Sequence, residues 1–507
     1  MAEARAEACT GGSGTSTTTS TSCSSTSSIS ISISDGSPIS RIAQDHLFTI
    51  LLLLPVESVL SFSSTCKKFR SLACSDSLWE SICRREWGLT SVDALRSSFS
   101  HHHHPGQSQG HHRTSPSNWI NIYRQVSRLD SVTCYNLSDL GEEEEEEEEE
   151  AAALPVPAPR ASHSLNFVSD CLVLFGGGCE GGRHLDDTWV AYIGREFRRK
   201  LLWQRVNSGF PSGRFGHTCV AVGDFLILFG GINDHGNRQN DTWVGQVGFH
   251  ETLGISLVWR LLEVGSIVPP ARGAHAACCI DNRKMVVHGG IGLYGLRLGD
   301  TWVLELSENL CFGMWHEIMT NPSPPARSGH SLTCIGGTQT ILFGGRGLGY
   351  EVLNDVWLLD ISGGNTKWVQ LLYEIRDIPE GVSLPRVGHS ATLILGGRLL
   401  IYGGEDSLRH RKDDFWVLDT KGIRSQGMQG NKVNSNTKGL LASSWRRLNS
   451  KGYKPSCRSF HRACADHLGR YVYVFGGMVD GLLHPAASSG LRFDGELFLV
   501  ELLHSQL

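Results

Sequence analysis

The chain has 507 residues, enough for two or three domains and a large core. Its 58 glycines favour turn-rich β architecture over long helices, and a formal net charge of -5 is too small to suggest a nucleic-acid or membrane partner. The 15 cysteines form no CxxC pair, and several, such as Cys278 and Cys279, sit in apolar runs; this speaks against a disulfide framework and predicts reduced thiols in a cytoplasmic and/or nuclear protein.

The start, MAEARAEACT, has no apolar run behind it, so no signal peptide is expected. Residues 1–38 are Ser/Thr/Gly-rich, cannot bury enough surface to offset ordering, and are predicted to be disordered. Residues 39–90 are dense in Leu, Phe, Ile and Trp and read as short amphipathic helices. Leu47, Ile50, Leu51 and Leu54 fall at helical spacing on one face, and Pro55 stops that helix. The Leu cluster at residues 50–56 is too short to span a bilayer. A unit of this size is marginal alone and better stabilised by a partner.

Residues 91–130 read as a helical and low-complexity linker carrying a His-rich insert at 101–112. Nothing around those six histidines would hold a metal-binding geometry, so the insert is taken as a flexible spacer and no metal is expected. The nine glutamates at 142–150 repel one another and predict a solvated loop over 141–154.

From residue 160 a repeat begins. Arg-x-x-His occurs six times, at Arg160/His163, Arg214/His217, Arg272/His275, Arg327/His330, Arg386/His389 and Arg458/His461. A Gly pair closes an apolar run thirteen to fifteen residues after each His. Twelve residues past the pair stands a Trp in the first five copies (Trp189, Trp243, Trp302, Trp357, Trp416), with an Asp two places before it. A second Trp follows at 203, 259, 315, 368 and 445, and the sixth copy carries Glu496 and Phe498 in place of Asp and Trp. A period of this length with Gly pairs and aromatics predicts β-propeller blades. The Gly pair ends a buried strand, the Trp fills the wedge between sheets, and the Asp is expected to accept backbone N–H bonds in the turn before it. The expected architecture is mainly β: a six-bladed propeller over 131–507 preceded by a small all-α domain. The sixth copy lacks a fourth strand, and "SVTCYNL", residues 131–137, is expected to supply it.

These repeats resemble the kelch repeat. Residues 39–88 resemble an F-box, through Asp45, Leu47, Ile50, Leu54-Pro55, Val59, Phe62, Cys66, Phe69-Arg70, Leu72 and Leu78-Trp79, with Ile42-Ala43 where the family usually carries Leu-Pro. The pair resembles plant F-box/kelch proteins and, in these two parts, some plant blue-light receptors. Those carry a flavin-binding domain ahead of the F-box, which the Ser/Thr-rich start is too short to hold, so no cofactor is expected. The resemblance implies the non-catalytic, substrate-recognising subunit of an SCF-type ubiquitin ligase. Its F-box would dock the adaptor, and through it the cullin, by Leu47, Ile50, Leu54, Pro55 and Phe62. Its propeller would bind a protein for ubiquitination. The alternatives are a metal-bearing kelch enzyme or specifier protein, or a kelch scaffold outside ubiquitination.

The Arg and His of the repeat recur in every blade and are read as structural. Recognition is expected where symmetry breaks, in the segments between Gly pair and Trp. Their basic residues, Arg183, His235, Arg238, Arg346, Arg409 and His410 among them, predict a basic rim for an acidic or phosphorylated protein segment.

Overall fold

The structure is a computed structural model that describes residues 38–100, 118–138, 155–193, 201–207, 209–250, 254–362, 366–375, 384–420, 423, 440–480 and 491–503. The start expected to be disordered (but for Pro38), the His-rich insert and the glutamate run lie outside the described residues. The chain divides into two compact units, Met1–Ser75 and Asp76–Leu507.

In the first unit, α1 (Gln44–Leu53), α2 (Val56–Ser63) and α3 (Lys67–Ala73) bury Leu47, Leu51, Val59, Phe69 and Leu72 together. Pro55 ends α1 as its sequence requires: Leu54 is extended (φ -82, ψ 154). The Phe62 and Phe69 rings stack at 4.4 Å.

The second unit opens with α4 (Asp76–Trp87), α5 (Leu89–Ser100) and α6 (Trp119–Arg128). The first ten residues of the expected linker, 91–100, belong to α5. Asn118 caps α6 through its side chain, and the Asp76 carboxylate accepts from Trp119 N at 2.7 Å. The end of α6 leaves carbonyls without helical partners. Arg398 of the propeller fills that role, donating to Val126 O and Ser127 O. Gly396 makes room for the contact, since a Cβ there would lie 2.6 Å from Val126 Cγ1.

Six four-stranded antiparallel blades follow, of which blades 4 to 6 are joined edge to edge by parallel pairing. Blade 1 is Ser164–Val168, Cys171–Phe175, Thr188–Tyr192 and Trp203–Asn207; blade 2 is Thr218–Val222, Phe225–Phe229, Thr242–His250 and Gly254–Leu261. Blade 3 is Ala276–Ile280, Lys284–His288, Thr301–Leu306 and Phe312–Ile318; blade 4 is Ser331–Gly336, Gln339–Gly347, Val352–Asp360 and Lys367–Ile375. Blade 5 is Ser390–Ile394, Arg398–Tyr402, Phe415–Asp419 and Leu440–Gly452. Blade 6 has Arg462–Ala465, Tyr471–Asp480 and Leu491–Glu501, and takes its fourth strand from Ser131–Asn136. That strand lies antiparallel to the last one, Thr133 facing Glu501 and Asn136 facing Phe498. It also pairs in parallel with Leu440–Gly452 of blade 5, a second edge that its alternating pattern did not announce.

A hydrophobic cluster fills each of the six interfaces between neighbouring blades. Trp189, Trp203 and Phe475 meet between blades 6 and 1. Phe175 and Trp259 meet between blades 1 and 2, and Phe229 and Trp315 between 2 and 3. Trp357 and Trp368, then Phe343 and Trp445, then Tyr402 and Phe498 fill the remaining three. Both Trp positions of the repeat therefore serve as wedges. Among the described residues the cysteines are free, and no helix is long and apolar enough to cross a membrane.

Candidate functional site

The repeated residues build the scaffold of one face. In blade 1 the Arg160 guanidinium donates to both Asp187 carboxylate oxygens, at 2.6 and 3.0 Å, and to Gly176 O at 3.1 Å. The Trp189 indole donates to the same carboxylate at 2.7 Å. Blades 2 to 5 repeat the unit with Arg214–Asp241, Arg272–Asp300, Arg327–Asp355 and Arg386–Asp414. This corrects the expectation that the Asp serves turn amides: its partners are a buried guanidinium and an indole. In blade 6 Glu496 takes the carboxylate's place beside Arg458. Burial alone would raise the carboxyls of Asp187, Asp300, Asp355 and Asp414; hydrogen bonds and charge from the arginines overcome it and hold them below the ordinary 3.8.

The first Gly of each pair lies against the next blade, as Gly176 does against Arg214 O and His217, and the second packs on its own blade. Gly177 has φ 101, and a Cβ there would stand 2.8 Å from His163 Cβ, so neither its backbone nor its surroundings admit another residue. Its N–H donates to Arg214 O of blade 2, and the same bond recurs around the ring to Gly477 N–Arg160 O.

One residue per blade, between Arg and His, forms a backbone annulus. Gly216 N donates to Ser162 O, Ala274 N to Gly216 O, Gly329 N to Ala274 O, Gly388 N to Gly329 O, Phe460 N to Gly388 O and Ser162 N to Phe460 O, at 2.7–2.9 Å. All six have positive φ, between 53° and 69°. Inside this ring the six histidines are buried. Loss of water, reinforced by the arginine charges, pulls His163, His217, His275, His330 and His461 well below 6.5 and takes His389 to about 3, as it does His288 on the second strand of blade 3.

Around the annulus stand the variable loops, each folded back on its own Gly pair by a bridge such as Ile232 to Arg238 or Glu405 to Arg411. Arg183, His235, Arg409 and His410 are exposed there. Arg238 and Arg346 are not: Arg238 is half-buried and turns back onto Gly236 O, and Arg346 of blade 4 is half-buried against Glu405 of blade 5 at 2.9 Å. Acidic neighbours offset much of the remaining charge. Lys412 pairs with Asp406 at 2.7 Å, Arg411 with Asp480 at 2.5 Å, and the His184 backbone N–H donates to the Asp234 carboxylate at 2.6 Å. The basic rim expected from sequence is thus corrected: several of its cations latch one loop to the next.

The same loops present large apolar side chains that sequence reasoning passed over. Tyr294 is 97% exposed, and Leu293, Leu296, Leu348, Tyr350 and Leu408 stand out beside it in blades 3 to 5. The Arg297 guanidinium lies 4.4 Å from the Tyr350 ring centroid. The available signal was Leu and Tyr in "IGLYGLRLGD" and "RGLGYEV", loop positions with no core to fill. Exposed aromatics rimmed by arginine are the side chains that dominate protein interfaces.

On the first unit, Ile50 is 45% exposed, Leu53 78% and Leu60 46%; Pro55 is exposed and Leu54 and Phe62 half-buried. Leu47 is only 3% exposed, so it belongs to this unit's core and not to an outward face. Leu53 and Leu60 were missed because helical spacing puts them off the stripe that contains Leu47.

Among the described residues no group of His, Cys, Asp and Glu is arranged to hold a metal ion. Residues 216–477 match the KLHDC2/KLHL20/DRC7 Kelch-repeats domain and residues 44–85 the F-box-like family. The chain is 59% identical to the F-box/kelch-repeat protein At1g51550 of Arabidopsis thaliana over 471 residues, covering 92% of this chain and 93% of that one. It is 29% identical to Adagio protein 3 of Arabidopsis thaliana, covering 84% of this chain and 60% of that one. Host cell factor 2 of Homo sapiens is 27% identical over 300 residues, 55% of this chain and 33% of that one.

Proposed function

Because the chain belongs to the F-box/kelch-repeat proteins, we propose that it is the substrate-recognition subunit of an SCF-type ubiquitin ligase, acting in the cytoplasm and/or nucleus. The ligase chemistry would belong to other subunits, and this chain would act by holding a protein near them. The observation that carries the reading is the pairing of an F-box-like segment with a propeller whose one face is asymmetric, with exposed Tyr294, Tyr350 and Leu408 among loop arginines. The exposed apolar side chains Ile50, Leu53 and Leu60, with Leu54 and Pro55, are the proposed adaptor contacts. The propeller face is the proposed substrate contact, combining aromatic anchors with Arg183, His235, Arg409 and His410. Affinity purification with and without proteasome inhibition tests this. The full chain should recover adaptor, cullin and a protein that accumulates under inhibition. A chain lacking residues 39–90 should recover that protein alone. Recovery of no adaptor by the full chain would defeat the proposal.

A further inference from the structure

The position after the repeat's His faces the central channel and is small in five blades: Ser164, Thr218, Ala276, Ser331 and Ser390. In blade 6 it is Arg462. The channel contains an open cavity of about 580 Å³, and among the described residues that line it Arg462 is the one charged side chain once the histidines are neutral.

No carboxylate lies within ion-pair distance of the Arg462 guanidinium among the described residues. Its Nε is fixed by donation to His163 O at 2.8 Å, which leaves the two Nη groups, a planar fork of donors, on the channel side. By contrast, each buried guanidinium of the Arg-x-x-His repeat is matched by a carboxylate. Arg462 is half-buried at the channel wall with no carboxylate of its own, so its fork of donors is open to an anion entering the channel.

We infer that the central channel is a binding site for a small anionic molecule bearing a carboxylate or phosphate group, anchored by Arg462.

The walls supply the further donors such a group needs. The Thr218 and Ser390 hydroxyls line the cavity, each already positioned by a histidine, at 2.8 Å from His275 Nε2 and 2.9 Å from His461 Nε2. His330 also lines it, and neither of its ring nitrogens has a hydrogen-bond partner among the described residues. A neutral imidazole carries one N–H to donate. Small side chains, Ala221, Ala277, Ala391 and Ala463, leave the space open. Burial draws Arg462 down to about 10, which still leaves it charged at neutral pH. Its charge in turn lowers the proton affinity of His163, His217, His275, His389 and His461, placing it centrally among the blades.

The test is calorimetric titration of the full chain with inorganic phosphate and, separately, with succinate, at ionic strength matched by chloride. Saturable binding at one site per chain is expected for at least one of the two. Which of them binds decides between phosphate and carboxylate ligands. Arg462→Ser, which restores the residue of blades 1, 4 and 5, should weaken binding about tenfold or more. Equal affinity in that variant, or no saturable binding of either anion by the native chain, would overturn the inference. A second measurement needs no variant. Labelling by phenylglyoxal, read by peptide mass spectrometry, should slow at Arg462 in the saturating anion and stay unchanged at Arg409; equal labelling of Arg462 with and without the anion would also overturn it.

Discussion

Tyr135 and Glu501, 366 residues apart, are joined by a hydrogen bond of 2.9 Å from the phenol to the carboxylate. The bond marks where the ring closes: a strand from before the repeat completes the sheet that ends the chain. Val132 and Cys134 of that strand are buried with Phe498 and Val500, and Leu137 follows into the interface with blade 1. Burying a side chain of this kind is worth about 1.5–3 kcal/mol. A chain beginning at residue 155 should therefore melt far below one beginning at residue 118, and should aggregate through the bared edge. Equal melting temperatures would show that the strand is not needed for closure.

The Arg–Asp pairs predict a specific pattern of damage. Asp300→Ala leaves the Arg272 guanidinium, 0% exposed, without its carboxylate. Breaking a buried pair on one side costs about 3–5 kcal/mol. Removing both partners with Arg272→Met and Asp300→Ala should cost less than the sum of the single changes. Urea denaturation of the four proteins measures this, and additive losses would mean the pair is not coupled.

Stability should fall on mild acidification. The folded chain holds His163, His217, His275, His330 and His461 neutral, well below 6.5, whereas the unfolded chain protonates them near that value. Between those limits the unfolded state binds more protons, so stability is fully present above pH 6.5 and declines as the pH drops. Each histidine contributes a slope of up to about 1.4 kcal/mol per pH unit. Below 3.8 the depressed carboxyls Asp187, Asp300, Asp355 and Asp414 add losses of the same sign. Urea midpoints between pH 7.5 and 5 test the histidine effect; a flat profile would contradict it.

On the propeller face, Tyr294→Ala and Arg409→Glu should each reduce capture of the substrate protein while changing stability by no more than about 0.5 kcal/mol, because both side chains are exposed. Arg346→Glu should behave differently. It sets two carboxylates against each other at Glu405 and should lower the melting temperature as well. Capture assays paired with thermal melts separate the two classes. Retention of capture by both Tyr294→Ala and Arg409→Glu would move the substrate site elsewhere.

The fold was legible because its rule repeats. Arg-x-x-His, Gly pair and Trp at fixed spacing give the blades, and the lone alternating run at 131–137 could only be the missing strand. What the Asp bonds to was not legible, since its guanidinium partner lies 27 or 28 residues away and only the folded blade brings the two together. Charge in the loops was read correctly as composition and incorrectly as surface, because Arg346 and Arg411 reach across blade boundaries to Glu405 and Asp480. Leu47 failed for a related reason: an amphipathic stripe says which residues go inward together, and the docking surface must be made from those left outside.

Direct binding of the purified full chain to an SCF-type adaptor, by calorimetry, tests the central claim. Ile50→Ala with Leu53→Ala alters two exposed side chains of α1, and truncating interface anchors costs about 2 kcal/mol or more each. The account predicts saturable one-to-one binding by the native chain and a loss of about a hundredfold or more in the double variant, with the propeller's melting temperature unchanged. Absence of adaptor binding by the native chain, or undiminished binding by the variant, would contradict it.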